Sequence, residues 1–386
     1  MCRKSSIPLA FFICVVAVAM GSSTFRSVVL AQGAAKSGVP QYELDPSWPP
    51  KLPNNWIWGI PTWVTVDKHD HVWVLHRPRT ARPEQKANAA PAVIEFDEKG
   101  KFIKAWGGPG QGFDWPDTEH GIFVDHGDRV WITGINPRAG AVVSNRVDDM
   151  ILKFTKDGKF IQQIGGFNVS GGNKDTKNPH QAAEVFVYHK TNEAFVADGY
   201  GNRRLWVLDA DKMTHKRQWG AFGKEALDPP PPPPPAARGA APAPPTDIEG
   251  PGPDQYGIVH GAKVSNDGMV YVADRGNRRI QVFSLDGKYL KQGFVNRTTS
   301  TSSCDTVAFS QDKDQQFIFC PDFNKGEIAI VNRKTLETIG AFGSRGAGPG
   351  QFQNLHAIAT DSKGNIYGAE VGPGSRVQKF SYKGLK

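Results

Sequence analysis

From Thr62 onward, short runs of alternating β-branched, aromatic and polar residues are cut by Asp- and Lys-Gly turns, the pattern of successive β-hairpins. The runs fall into units of four. The first unit reads as Thr62–Asp67, Val72–His76, Ala92–Asp97 and Phe102–Trp106, and the second as Gly121–Asp125, Val130–Thr133, Met150–Thr155 and Phe160–Ile164. Three strands each are legible in the third unit (Glu184–Tyr188, Ala194–Asp198, Arg204–Asp209) and the fourth (Ala262–Ser265, Val270–Asp274, Arg279–Leu285). The fifth has Thr306–Ser310, Gln316–Cys320 and Glu327–Asn332, and the sixth His356–Asp361, Asn365–Glu370 and Arg376–Tyr382.

Repetition at this period predicts an all-β, six-bladed β-propeller over residues 55–386. Near copies at Ala197-Asp198-Gly199-Tyr200-Gly201-Asn202-Arg203-Arg204 and Ala273-Asp274-Arg275-Gly276-Asn277-Arg278-Arg279 support it. The sixth unit lacks an outermost strand, and Tyr42–Trp48, within an N-terminal lead of residues 32–54, is the expected donor that closes the ring. Residues 228–250 hold a proline-rich run that cannot form a strand ladder, so it reads as an exposed insertion between blades 3 and 4. The Asp-x-x-Asn-x-Arg pattern resembles the NHL repeat, a family of six-bladed propellers.

The N-terminus changes the picture of where the chain works. Arg3 and Lys4 precede an apolar run from Ile7 to Met20, and Val29-Leu30-Ala31 offers a small-residue cleavage site, so residues 1–31 read as an export signal. A periplasmic or secreted protein with no membrane span after signal removal is expected. Loss of Arg3, Lys4 and Arg26 lowers the formal charge from +8 to +5, too mild and too evenly spread for nucleic acid. The mature chain keeps Cys304 and Cys320, which flank a turn, and an oxidising compartment would allow them to bridge.

The candidate chemistry comes from register. His120, His260 and His356 recur at the start of the first strand in blades 2, 4 and 6, where blades 1, 3 and 5 have Thr62, Ala183 and Asp305. In a propeller those strands line the axis, so three imidazoles from alternate blades converge, a donor set that suits zinc and, by ligand type alone, equally iron, copper or another imidazole-binding metal. Arg77 and Arg275 end the second strands of blades 1 and 4 at the same rim, and Tyr200 lies one residue further along in blade 3. Two guanidinium groups over a metal favour a carboxylate-bearing ligand. A metal and a guanidinium both stabilise phenolate, which makes Tyr200 a candidate base.

The set His-Arg-Pro, Glu-His-Gly-Ile, Asp-Gly-Tyr, Val-His-Gly, Ala-Asp-Arg and Leu-His-Ala resembles the catalytic core of peptidyl-α-hydroxyglycine α-amidating lyase. The resemblance implies zinc on His120, His260 and His356, a base at Tyr200, and arginines at Arg77 and Arg275. It implies cleavage of the C–N bond of a small or peptidyl α-hydroxy-amide to glyoxylate and an amide. Three departures stand out. Ala357 replaces an aspartate that holds calcium in that family, so calcium is doubtful; Asn354 replaces a methionine; and Gly201 replaces a cysteine. The alternative reading is a non-catalytic NHL propeller that binds a protein or glycan through its channel face. Lactone or ester hydrolysis is disfavoured, because Asp305 is the one acid at the histidine register.

Overall fold

In the computed structural model, which describes residues 38–137, 143–228 and 248–386, six four-stranded antiparallel sheets surround a central axis. The first strand of the described residues is β1 (Pro40–Asp45). Blade 1 follows as β2 (Ile60–Val66), β3 (Val72–Arg77), β4 (Val93–Phe96) and β5 (Phe102–Trp106). Blade 2 is β6 (Glu119–Val124), β7 (Arg129–Gly134), β8 (Asp148–Thr155) and β9 (Phe160–Phe167). Blade 3 is β10 (Glu184–Tyr188), β11 (Glu193–Asp198), β12 (Arg204–Asp209) and β13 (His215–Trp219). Blade 4 is β14 (Val259–Val264), β15 (Val270–Asp274), β16 (Arg279–Phe283) and β17 (Tyr289–Phe294). Blade 5 is β18 (Ala308–Phe309), β19 (Phe317–Asp322), β20 (Glu327–Asn332) and β21 (Thr338–Gly343). Blade 6 is β22 (Leu355–Thr360), β23 (Ile366–Glu370) and β24 (Val377–Leu385).

β1 pairs antiparallel with β24, so the sixth sheet is completed from the N-terminal side and the ring closes without an open seam. The closing strand begins two residues earlier than the sequence suggests and ends before Trp48. That indole turns inward instead, with ring centroids 5.2 Å from Phe96 and 5.1 Å from Tyr367. The expected export segment (residues 1–31) and residues 229–247 of the proline-rich insertion lie outside the described residues. Among the described residues no helix is long and apolar enough to cross a membrane.

Burial explains which strands are legible. The second strands β3, β7 and β11 are covered on both faces by neighbouring blades and read as continuous apolar runs. The outermost strands β13, β17 and β21 are half-exposed and carry Lys, Arg, Gln or Gly, so their alternation is weak. His215, which reads as a surface turn, is the first residue of β13, and its Nδ1 accepts a 2.8 Å hydrogen bond from the Trp206 indole.

Polar pairs lock the blades where apolar contacts cannot. Arg204 Nε donates to Asp198 Oδ2 at 2.8 Å, and Arg279 repeats the contact on Asp274 at 2.8 Å, with all four side chains out of solvent. Blade 3 has one more residue than blade 4 between this aspartate and its asparagine (Asn202, Asn277), and the longer loop carries Tyr200. A disulfide joins Cys304 to Cys320, with Cα atoms 4.5 Å apart, and ties the lead into β18 to strand β19.

Candidate metal centre

The three histidines reach the axis because the strand around each is irregular. In β14, Val259 pairs with Asp274 and Gly261 with Ala273, leaving His260 as the extra residue of a β-bulge. His356 has the same place between the Leu355–Glu370 and Ala357–Ala369 pairs. In β6 the register shifts across His120 and Gly121. A bulge frees one residue from the ladder and re-aims its side chain. Here it turns three imidazoles inward.

Each imidazole is then fixed by a carbonyl of the next blade. His120 Nδ1 donates to Ala183 O at 2.9 Å, His260 Nδ1 to Asp305 O at 2.6 Å, and His356 Nδ1 to Thr62 O at 2.8 Å. These acceptors are the three residues that occupy the histidine register in the other blades. A carbonyl only accepts, so Nδ1 carries the hydrogen and Nε2 presents its lone pair. The rings pack edge to face at 5.0, 4.8 and 4.7 Å between centroids, and one potential ligand atom from each lies within 4.8 Å of the other two. Burial holds all three below the ordinary imidazole value, His356 down to about 3, so they are neutral donors.

Tyr200 completes the cluster. Its hydroxyl lies 3.1 Å from His120 Nε2 and 3.0 Å from His260 Nε2, with Arg275 Nη1 at 3.4 Å. Arg275 Nη1 also sits 3.5 Å from the Asp305 carboxylate. Burial opposes the charge on Arg275, but Asp305 and Tyr200 more than offset this and leave it above its ordinary value. Arg77 donates Nε to Glu119 O at 2.9 Å, and burial lowers it to about 10. Both arginines act electrostatically on His120 and His356. The six residues expected to share one mouth are therefore together.

Two neighbours are not assigned to the cluster from sequence: Trp63 is not singled out, and Asp305 enters only as the one acid at the histidine register. Trp63 is fully buried, and its ring centroid lies 5.4, 5.6 and 5.6 Å from those of His120, His260 and His356. The signal was present: the residue after the register position is Gly121, Glu184, Gly261, Thr306 or Ala357 elsewhere, and a large aromatic only in blade 1. Asp305 is the second. Burial drives its carboxyl up to about 7 against the pull of Arg275, and its buried Oδ1 has no hydrogen-bond partner within normal geometry among the described residues.

His76 and His180, the two histidines nearest the same rim, are committed elsewhere. His76 accepts from Gly59 N at 3.0 Å and donates to Pro91 O at 2.9 Å. His180 pairs through Nδ1 with Asp149 at 2.7 Å, and its ring covers Gly201, where a Cβ would lie 2.0 Å from the imidazole. Gly201 thus has a steric reason in this chain. Asn354 turns its amide to Gly372 O, and Ala357 is buried among apolar side chains. Asp67, His71 and Glu95 also cluster, but the Trp73 indole donates to Asp67 and Lys104 lies beside Glu95, the arrangement of a blade-lacing network.

Comparison with known proteins adds the lineage. The family model for the NHL repeat matches residues 258–283, which span β14 to β16. The chain is a six-bladed propeller that carries an NHL repeat. It is similar to human NHL repeat-containing protein 3, at 28% identity over 351 residues covering 88% of this chain and 84% of that protein. The mouse protein of the same name is 26% identical over 350 residues, with the same coverage of each. Similarity to peptidyl-glycine alpha-amidating monooxygenase B of Xenopus laevis is shorter, at 25% over 239 residues, 59% of this chain and 22% of that protein. The lyase resemblance is therefore a distant one. Among solved structures, a catalytically inactive virginiamycin B lyase from Staphylococcus aureus with quinupristin covers 89% of both chains at 14% identity and TM-score 0.47.

Proposed function

We propose that the chain is an exported, zinc-dependent carbon–nitrogen lyase that converts an α-hydroxyglycine-type amide into glyoxylate and an amide. The observation that carries this reading is the meeting of three neutral Nε2 donors with the Tyr200 hydroxyl, 3.0–3.1 Å from two of them, beside Arg275. The donor set fits the metal: neutral imidazoles, each oriented by an Nδ1–H bond to a carbonyl, are the usual outer support of a zinc site. His120, His260 and His356 would hold the ion, which when bound supplies Lewis-acid polarisation of a substrate oxygen.

The chain's own groups supply the rest. Arg77 and Arg275 hold the substrate carboxylate, and Asp305 keeps the Arg275 guanidinium charged beside Tyr200. The Tyr200 oxygen accepts the proton of the α-hydroxyl. As the C–O bond becomes a carbonyl, the C–N bond breaks, and the same proton passes to the departing amide nitrogen. Trp63 keeps water from the inner side of the cluster, which strengthens each electrostatic contact. Export rests on the apolar run after Arg3 and Lys4 and agrees with the Cys304–Cys320 bridge.

The test is glyoxylate release from N-acetyl-α-hydroxyglycine by the mature protein, stripped of metal and then reloaded with zinc. Zinc-dependent release supports the lyase. No release with zinc bound favours the second reading, a propeller that binds a protein or glycan through its channel face. That reading is supported by the longer and higher similarity to NHL repeat-containing protein 3.

A further inference from the structure

The central channel has a second mouth, at the ends of the six inner strands, opposite the one that the histidines occupy. Three residues on from the histidine register, each blade offers one side chain: Thr65, Phe123, Phe186, Lys263, Ala308 and Ala359. All six line one cavity of about 240 Å³. Adjacent blades 2, 3 and 4 supply the large members, Phe123, Phe186 and Lys263, while blades 5, 6 and 1 supply Ala308, Ala359 and Thr65. The ring is therefore filled on one half and hollow on the other. A space of this size takes a small molecule, not a folded segment. Trp63, two residues before Thr65 in β2, packs against the three imidazoles and stands between them and this space.

Lys263 carries the one charge in that ring of six. Its Nζ lies 5.6 Å from the Phe123 centroid and 5.4 Å from that of Phe186, within reach of both ring faces. It donates to Oε1 of Glu184, a side chain 1% exposed whose Oε2 accepts from Ala262 N at 2.9 Å. The lysine side chain itself is 16% exposed and lines the cavity. An ammonium has three donor hydrogens. Glu184 is its one hydrogen-bond acceptor among the described residues, so two donors are left for a ligand. Burial raises the Glu184 carboxyl above its ordinary value in spite of Lys263, so a proton taken up by Glu184 would release the ammonium's charge to that ligand.

We infer that this far mouth is a binding site for a small carboxylate with an apolar body. The carboxylate accepts charge-assisted hydrogen bonds from Lys263. The apolar body lies against Phe123 and Phe186, in the hollow left by Ala308 and Ala359. A cationic ligand would meet Lys263 as a like charge. The site is separate from the metal centre and does not depend on the lyase reading.

The experiment is equilibrium dialysis of the mature protein, as purified, against phenylacetate and against phenylacetamide. Ala359→Phe fills the hollow from a partly exposed position. Lys263→Met made together with Glu184→Gln removes the ammonium without leaving a buried charge alone. Wild type is expected to bind one equivalent of phenylacetate more than either variant, whatever the axial arginines take up. That equivalent should half-saturate below about 1 mM, as suits a ligand of so few atoms. Phenylacetamide should show no such difference. The same phenylacetate stoichiometry in wild type and either variant overturns the site. An equal extra equivalent of phenylacetamide overturns the carboxylate class and the role given to Lys263. The two variants act by unrelated changes, so misfolding of one leaves the other to decide. Glyoxylate is no part of the readout, and a failed lyase test leaves this one intact.

Discussion

His260 Nδ1 donates at 2.6 Å to the carbonyl of Asp305, the residue that stands in the histidine's own register one blade further on. The same side chain of Asp305 approaches Arg275 at 3.5 Å. One residue therefore orients an imidazole through its backbone and a guanidinium through its carboxylate. The cluster's behaviour should follow from that coupling.

Zinc binding is the first consequence. Wild-type protein is expected to retain about one equivalent of zinc after gel filtration, measured by plasma mass spectrometry, and His260→Ala to fall well below half. Asp305→Asn keeps the backbone carbonyl and should keep the metal, while lowering kcat/KM through a misplaced Arg275. Equal metal content in wild type and His260→Ala would sink the tri-histidine assignment.

Tyr200→Phe separates chemistry from metal binding. Removal of a proton-transfer group typically costs 10²- to 10⁴-fold in rate. Glyoxylate release should drop by roughly that factor with zinc content unchanged. A retained rate would mean that another group takes the proton.

Acid should weaken the metal-free fold through the histidines. Burial lowers the His356 value from 6.5 to about 3, so between those limits the unfolded chain binds a proton that the folded chain refuses. Stability is full above pH 6.5 and falls as the pH drops, by up to about 1.4 kcal/mol per pH unit for each such group. Asp305 and Asp148, raised by burial to about 7 and about 6, give the opposite slope. The measurement is therefore the difference between metal-free wild type and His356→Gln in urea melts at pH 6.5 and 5. A wild type no more acid-sensitive than the variant contradicts the neutral, buried state of His356.

Gly201→Ala should be costly for a local reason. The new Cβ would lie 2.0 Å from the His180 ring, which is held by Asp149 and cannot retreat freely. A loss of about 1–3 kcal/mol is expected in denaturant melts. His180→Ala in the same chain should recover most of it. A neutral Gly201→Ala would show that the His180 ring moves aside.

The histidine register was legible because strand starts, turns and the recurring His-Gly or His-Ala pairs keep phase across blades. Phase alone placed Arg77, Tyr200 and Arg275 near one mouth. What it could not place was anything decided by a neighbouring blade. Trp63 looks like an ordinary strand aromatic until three imidazoles pack against it. The role of the Asp305 carbonyl depends on a contact 45 residues away in sequence. The outer strands β13, β17 and β21 were missed because one face meets water, so little apolar alternation is required of them. The bulges, which aim the side chains, leave no sequence mark beyond a small residue after each histidine.

The imidazole–carbonyl bonds join blade 2 to 3, blade 4 to 5 and blade 6 to 1, and no such bond spans the other three seams. By these bonds alone, the six blades group into three pairs. Seams of the second kind are the natural places to lengthen or cut the chain, and the proline-rich insertion falls at one of them, between blades 3 and 4. A circular permutant opened there should keep all three donors oriented; one opened between blades 4 and 5 should not.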